Sequence, residues 1–173
     1  LGVIGALRAC GIPLAEAVRA CASLLPVPGR MECLQQPGAP LVAVDYAHTP
    51  DALDKALAAL RPLARQRGGR PRMAAVAEKN ADRVVVTSDN PRGEKPETII
   101  SQILLGLSHR ECVEVEVDRA RAIAQAVAAA APQDVILLAG KGHEDTQEVA
   151  GVRHPFDDRA HARMALARRG VTA

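Results

Sequence analysis

Between residues 41 and 139 the chain alternates short, unbroken apolar runs with longer stretches of helical periodicity. No other feature constrains its fold so tightly. Leu41-Val42-Ala43-Val44-Asp45, Arg83-Val84-Val85-Val86-Thr87, Cys112 to Val117 and Asp134 to Ala139 read as strands. Helical stretches are expected over 50–65, over 71–80, after Pro96, over 118–131 and over 157–169. Apolar strands separated by helices of roughly 10–15 residues imply parallel pairing, with helices on both faces. The expected class is α/β with a mostly parallel sheet. With one Tyr, one Phe and no Trp, the core must come from Ala, Val, Leu and Ile, and almost no aromatic surface is left for stacking bases.

Ahead of this alternation, residues 1–25 read as two short helices, with Gly11 ending the first and Pro13 opening the second. Leu1, Ile4 and Leu7, then Leu14, Val18 and Cys21, form apolar stripes that two helices cannot bury alone. They are expected to belong to a domain whose remainder is absent. Pro37-Gly38-Ala39-Pro40 looks like a linker, so the division falls into residues 1–37 and 38–173. The chain lacks an initiator Met and is expected to begin mid-protein. It has no signal peptide and no apolar run near the roughly 20 residues of a membrane span, so a cytoplasmic location is expected. Net charge is +2 with both signs interspersed, which argues against nucleic acid or a membrane surface as partner. Cys10, Cys21, Cys33 and Cys112 are scattered without metal-ligand spacing and read as small buried hydrophobes.

Ligands of parallel α/β sheets bind beyond the carboxyl ends of the strands. Three such ends lead into polar loops: Asp45-Tyr46-Ala47-His48-Thr49-Pro50-Asp51, Thr87-Ser88-Asp89-Asn90-Pro91-Arg92 and Gly140-Lys141-Gly142-His143-Glu144-Asp145. Each has a plain structural explanation when taken singly. Asp-Asn-Pro is a common turn, an Asp after a strand caps the next helix, and Gly-Lys-Gly lacks the frame of a phosphate loop. Three on one sheet edge are harder to explain that way. Arg92 offers a planar fork for a carboxylate, with Asn90 able to donate and accept beside it. Glu144 can receive an ammonium, and Gly140 permits close approach to the backbone. Together they make a receptor for a zwitterionic amino acid. Asp45 can take the hydroxyls of a ribose, while His48 and Arg30 can face phosphate oxygens.

Pro28-Gly29-Arg30-Met31-Glu32, the Asp45 to Leu53 segment, Asp89-Asn90-Pro91-Arg92 and the Ala139 to Asp145 segment occur in this order over essentially the whole chain. On these motifs the chain resembles the Mur ligases of peptidoglycan synthesis. Its Asp-Asn-Pro-Arg is similar to the branch that adds meso-diaminopimelate, since the lysine-adding relatives carry a different tetrapeptide there. The resemblance implies a Rossmann-like sheet with helices on both faces, preceded by a helical remnant of a central ATPase domain. It implies that Asp89, Asn90, Arg92, Gly140 and Glu144 bind diaminopimelate, and that Arg30, Asp45 and His48 bind ATP. The implied reaction uses ATP to phosphorylate the D-Glu carboxylate of UDP-N-acetylmuramoyl-L-alanyl-D-glutamate. The amine of diaminopimelate then displaces phosphate and forms an amide. Mg2+ is expected with ATP, its ligands lying in the absent central domain, and no residue of this chain is expected to ligate metal or act as a catalytic group. A monomer is expected. Two other readings are a non-catalytic amino-acid or nucleotide-binding fragment and a folate polyglutamate-type ligase, which shares Asp-x-Ala-His but not Asp-Asn-Pro-Arg.

The chain departs from the family between Gly69 and Arg70. A strand and a Gly-Asp-Arg-Asp loop, about 16 residues with an arginine used on diaminopimelate, are expected there and are missing. A parallel sheet that lost an internal strand would leave its neighbours with unpaired backbone groups. Lys141 is open between contacting a phosphate and capping its loop. Asp157-Asp158-Arg159 is read as helix capping.

Overall fold

The computed structural model describes residues 2–63, 81–107, 109 and 113–170. In chain order its elements are α1 (Gly2–Ala9), α2 (Leu14–Cys21), β1 (Glu32–Leu34), β2 (Leu41–Asp45), α3 (Pro50–Leu60), β3 (Val84–Val86), α4 (Pro96–Leu105), β4 (Val113–Val115), α5 (Arg119–Ala129), β5 (Val135–Ala139), β6 (Thr146–Val149), β7 (Val152–Pro155) and α6 (Asp158–Gly170). Several boundaries have visible local causes. Gly11 follows α1 with φ 82°. Thr49 caps α3, its hydroxyl accepting from the Ala52 amide at 3.3 Å, and Pro50 fills the first turn. Asp118 caps α5 by accepting from the Arg121 amide at 3.1 Å.

The strands of the expected parallel sheet form two groups among the described residues. β2 and β5 run parallel in one sheet, with β1 antiparallel on the other edge of β2. β3 and β4 form a separate parallel pair. The first sheet has a period-two division of faces. Val42, Val44 and Leu138 point to one side, where Ile123 and Val127 of α5 and Ala162 and Leu166 of α6 cover them. On the other side Leu137 and Ala139 pack with Ala47 and with Leu53 and Ala56 of α3. Helices therefore cover both faces of this sheet, as the alternation requires. β1 and the β6–β7 hairpin were not expected.

Helix α3 ends at Leu60, short of the expected residue 65, and the helix expected over 71–80 lies outside the described residues. The gap expected between Gly69 and Arg70 also falls there. The cysteine expectation needs correction, because Cys10 and Cys33 are exposed. Cys10 lies in the turn after α1 and Cys33 on the three-residue β1, where a small thiol has little to pack under, and Cys112 lies outside the described residues.

Candidate functional site

The polar loops after β2, β3 and β5 meet at the carboxyl end of the strands, joined by backbone contact on one side and hydrogen bonds on the other. Gly29 (φ 63°) presses its backbone on the Gly142–His143 peptide so closely that an added Cβ would lie 2.0 Å from the Gly142 carbonyl carbon. Gly142 (φ 54°) in turn has no room for a Cβ, which would sit 2.6 Å from that of Tyr46. Two glycines thus fuse the Pro28-Gly29-Arg30 segment to the loop after β5. Only a residue without a side chain fits at either position.

Basic and aromatic side chains gather on this side. The Arg30 guanidinium lies 4.6 Å over the Tyr46 ring. The His48 and His143 rings lie 4.5 and 5.3 Å from the same ring. His48 Nδ1 is 2.8 Å from the Tyr46 carbonyl oxygen and donates to it. Asp45 is already partly engaged, its Oδ2 accepting from the Met31 amide at 2.7 Å. Of the residues predicted for the nucleotide, Arg30 and His48 come together around Tyr46, and Asp45 ends β2 just before it. His143 was overlooked, and only its place between Gly142 and Glu144 could have drawn attention to it.

On the other side Lys141 is completely buried. Its amine donates to Asn90 Oδ1 at 3.0 Å, Glu144 Oε2 at 3.2 Å and Asp89 Oδ1 at 3.3 Å. Of the two alternatives left open for Lys141, its bond to Glu144 fits capping of its own loop, and its other two bonds tie that loop to the one after β3. Asn90 Nδ2 donates to Glu144 Oε2 at 2.7 Å, and Asn90 Oδ1 also accepts from the Glu148 amide at 3.1 Å. Gln147 adds a bond to the Asp89 carbonyl at 2.8 Å. Burial opposes ionisation of Glu144, but the bonds from Asn90 and Lys141 and the charges of Lys141 and His143 outweigh it. The Glu144 carboxyl is held below its usual range.

Arg92 differs from its neighbours. It is exposed and left-handed at φ 54°, a costly conformation for a residue with a side chain. Its backbone is pinned between Glu148, whose carbonyl accepts from the Arg92 amide at 2.9 Å, and Gly151, whose amide donates to the Arg92 carbonyl at 3.2 Å. The guanidinium has no partner among the described residues. The loops that carry Arg92 and Glu144 are tied together through Asn90 and Lys141, and a guanidinium and a carboxylate oxygen left open in this way can receive a carboxylate and an ammonium. Gly140 (φ 109°) sits against the Asp89 carboxylate, where a Cβ would lie 3.6 Å from Oδ2.

Behind the site lies a buried ion pair that was not expected. Arg119 bonds Asp158 through Nε at 2.8 Å and through a terminal nitrogen at 2.7 Å. The same terminal nitrogen donates to the Ala139 carbonyl at 2.9 Å, just before Gly140. Burial disfavours the Arg119 charge, yet Asp158, with lesser help from Asp89 and Glu144, raises its pKa further. The capping reading holds for Asp157, which accepts from the Arg159 amide at 2.8 Å, and is corrected for Asp158, which turns inward to Arg119.

A family model described as Mur ligase, glutamate ligase domain, matches residues 29–142. Along its whole length the chain is 62% identical to the UDP-N-acetylmuramoyl-L-alanyl-D-glutamate–2,6-diaminopimelate ligase of Acidovorax sp. (strain JS42), of which it covers 38%. It is 48% identical to the like-named ligase of Ralstonia nicotianae (strain ATCC BAA-1114 / GMI1000), covering 37% of that protein. A solved structure of a UDP-N-acetylmuramoyl-L-alanyl-D-glutamate–2,6-diaminopimelate ligase superposes with a TM-score of 0.73 at 34% identity, over 96% of this chain and 37% of that one. The chain thus spans a little over a third of the length of the curated relatives it matches. The alignment to the Acidovorax ligase runs over 189 positions, against the 173 residues of this chain.

Proposed function

The chain belongs to the Mur ligase family, matched through its glutamate ligase domain, and we propose that it is the amino-acid-receiving part of an ATP-dependent ligase adding meso-diaminopimelate to UDP-N-acetylmuramoyl-L-alanyl-D-glutamate. The observation that carries this reading is that the tied loops after β3 and β5 hold an Arg92 guanidinium unpartnered among the described residues and a half-engaged Glu144 carboxylate. A diamino diacid presents a second ammonium and carboxylate on one carbon, and this pair matches both charges. Lysine would leave Arg92 without an anion, a penalty of roughly 2–5 kcal/mol.

In this reading residues 1–37 are the tail of a central ATP-binding domain, and residues 38–173 the domain that delivers the amino acid. Asp89, Asn90, Arg92, Gly140 and Glu144 form the diaminopimelate site. Arg30, Asp45 and His48 serve the nucleotide, and His143 joins them through its place on Tyr46. ATP supplies the phosphoryl group that activates the D-Glu carboxylate. This chain's residues orient the incoming amino acid and face the nucleotide with Arg30, His48 and His143. Among the described residues no group of three or more His, Cys, Asp or Glu could hold a metal ion. No helix among the described residues is long and apolar enough to cross a membrane. The alignment's extra positions agree in number with the roughly 16 residues expected to be missing.

The test is ligation by the full-length protein with meso-diaminopimelate or lysine as acceptor. Arg92→Ala should raise the KM for diaminopimelate by a factor that corresponds to roughly 2–5 kcal/mol, with a much smaller effect on the KM for ATP. Equal losses for both substrates would overturn the role given to Arg92.

A further inference from the structure

Lys141 offers three N–H donors, and three acceptors from two loops take them. Nothing remains for a substrate phosphate, and complete burial keeps the amine from reaching one. Its consequence lies in which atoms it leaves free. By occupying Asn90 Oδ1 together with the Glu148 amide, it turns the Asn90 amide so that Nδ2 meets Glu144 Oε2. Oε2 then carries two donors, while Glu144 Oε1 has no partner among the described residues. Asp89 is engaged in the same way through Oδ1, with Oδ2 beside Gly140. The amine also offsets one of the two negative charges, so the cluster keeps a net charge of about −1, suited to one ammonium.

We propose that Lys141 is a positioning residue for the amino-acid site, holding the Asn90 amide and the Glu144 carboxylate in the orientation that receives the ammonium of a diamino diacid. This deepens the amino-acid-site reading given above and rests on it. Without the amine, two carboxylates would face each other unscreened and the Asn90 amide could turn over, with its carbonyl toward Glu144.

The test uses the full-length ligase with meso-diaminopimelate as the probe, in wild type, Lys141→Met, Glu144→Gln and the double variant. Lys141→Met should raise the KM for diaminopimelate about 10- to 100-fold while the KM for ATP moves by less than about threefold. In the Glu144→Gln background the same change should add little, because Lys141 acts through the group already neutralised. Full multiplication of the two effects would overturn the proposal, as would equal loss of affinity for ATP and amino acid or an unchanged KM for diaminopimelate. Lys141→Gln, which keeps an N–H donor, answers the same question if Lys141→Met does not fold. A wild-type enzyme that fails to use diaminopimelate would sink the functional reading and this proposal with it. A wild type that uses it, with Lys141→Met unaffected, sinks the proposal alone.

Discussion

The nucleotide-facing residues all lie beside the first sheet, while the amino-acid site is shared between the loops after β3 and β5, and the two sheets are held by different forces. The β1–β2–β5 sheet is covered on both faces by apolar side chains, and its two buried clusters draw on β2, β5, α3, α5 and α6 but on no residue of β3, β4 or α4. Among the described residues, the side-chain and backbone contacts seen at the carboxyl end of the β3–β4 pair are polar. These are Lys141 on Asp89 and Asn90, Gln147 on Asp89, and the Arg92 backbone on Glu148 and Gly151. A buried Thr87 hydroxyl at the end of β3 has no hydrogen-bond partner among the described residues. The nucleotide-facing half therefore rests on close packing, which does not depend on charge. The amino-acid-facing half rests on hydrogen bonds that a single charge can rearrange.

Three experiments press on this contrast. The largest effect is expected at the polar exception within the apolar sheet. Arg119→Met would strand the buried Asp158 carboxylate and should cost about 3–5 kcal/mol in denaturant unfolding. Adding Asp158→Leu should recover most of that loss, and failure to recover would mean that Arg119 is needed chiefly for its bond to the Ala139 carbonyl.

Paired truncations come next. Leu166→Ala, at a side chain 1% exposed in the first sheet's core, should cost about 2–5 kcal/mol. Ile100→Ala on α4 should cost less by at least about 1 kcal/mol, although Ile100 is also buried. Equal costs would show that the second group has an apolar core of its own and would break the comparison.

The smallest effect is one of pH. Glu144 is held below its ordinary value, so its contribution is fully present above the free carboxyl value near ~4.3 and is lost as pH falls through the lower folded value. Asp157, just before α6, is also held below its ordinary value, chiefly by its hydrogen bond from Arg159, so its contribution is likewise lost as pH falls. Glu144→Gln separates the two. Its stability should fall less steeply with acid than that of wild type, and identical pH profiles would show that the Glu144 bonds contribute nothing to holding the loops.

Much of this organisation was legible in the residues. Val42 and Val44 with Leu138 in apolar runs, and Leu53, Leu57 and Leu60 at helical spacing, announce a sheet covered by helices, because burial follows periods that a sequence displays, although it is Ala56 rather than Leu57 that is fully buried beside the two leucines. The polar loops were legible for a related reason, since Asp-Asn-Pro-Arg and Gly-Lys-Gly-His-Glu break those periods where strands end. The left-handed turn at Arg92 was not legible, because it depends on β6 and the turn after it pinning its backbone from across the loop. Lys141 stayed open for the same reason, as three acceptors from distant positions decide where its amine goes.

Local pattern therefore settled the α/β class, the covered sheet and the three loops that meet, all of which depend on the spacing of side chains along one segment. Tertiary structure alone decided that Gly29 and Gly142 share one contact, that Arg119 and Asp158 are buried together, and that Arg92 is left free while Lys141 is consumed. Hydrogen bonds and backbone clashes join atoms that can be far apart in the chain, and nothing in the spacing of one segment records its distant partners.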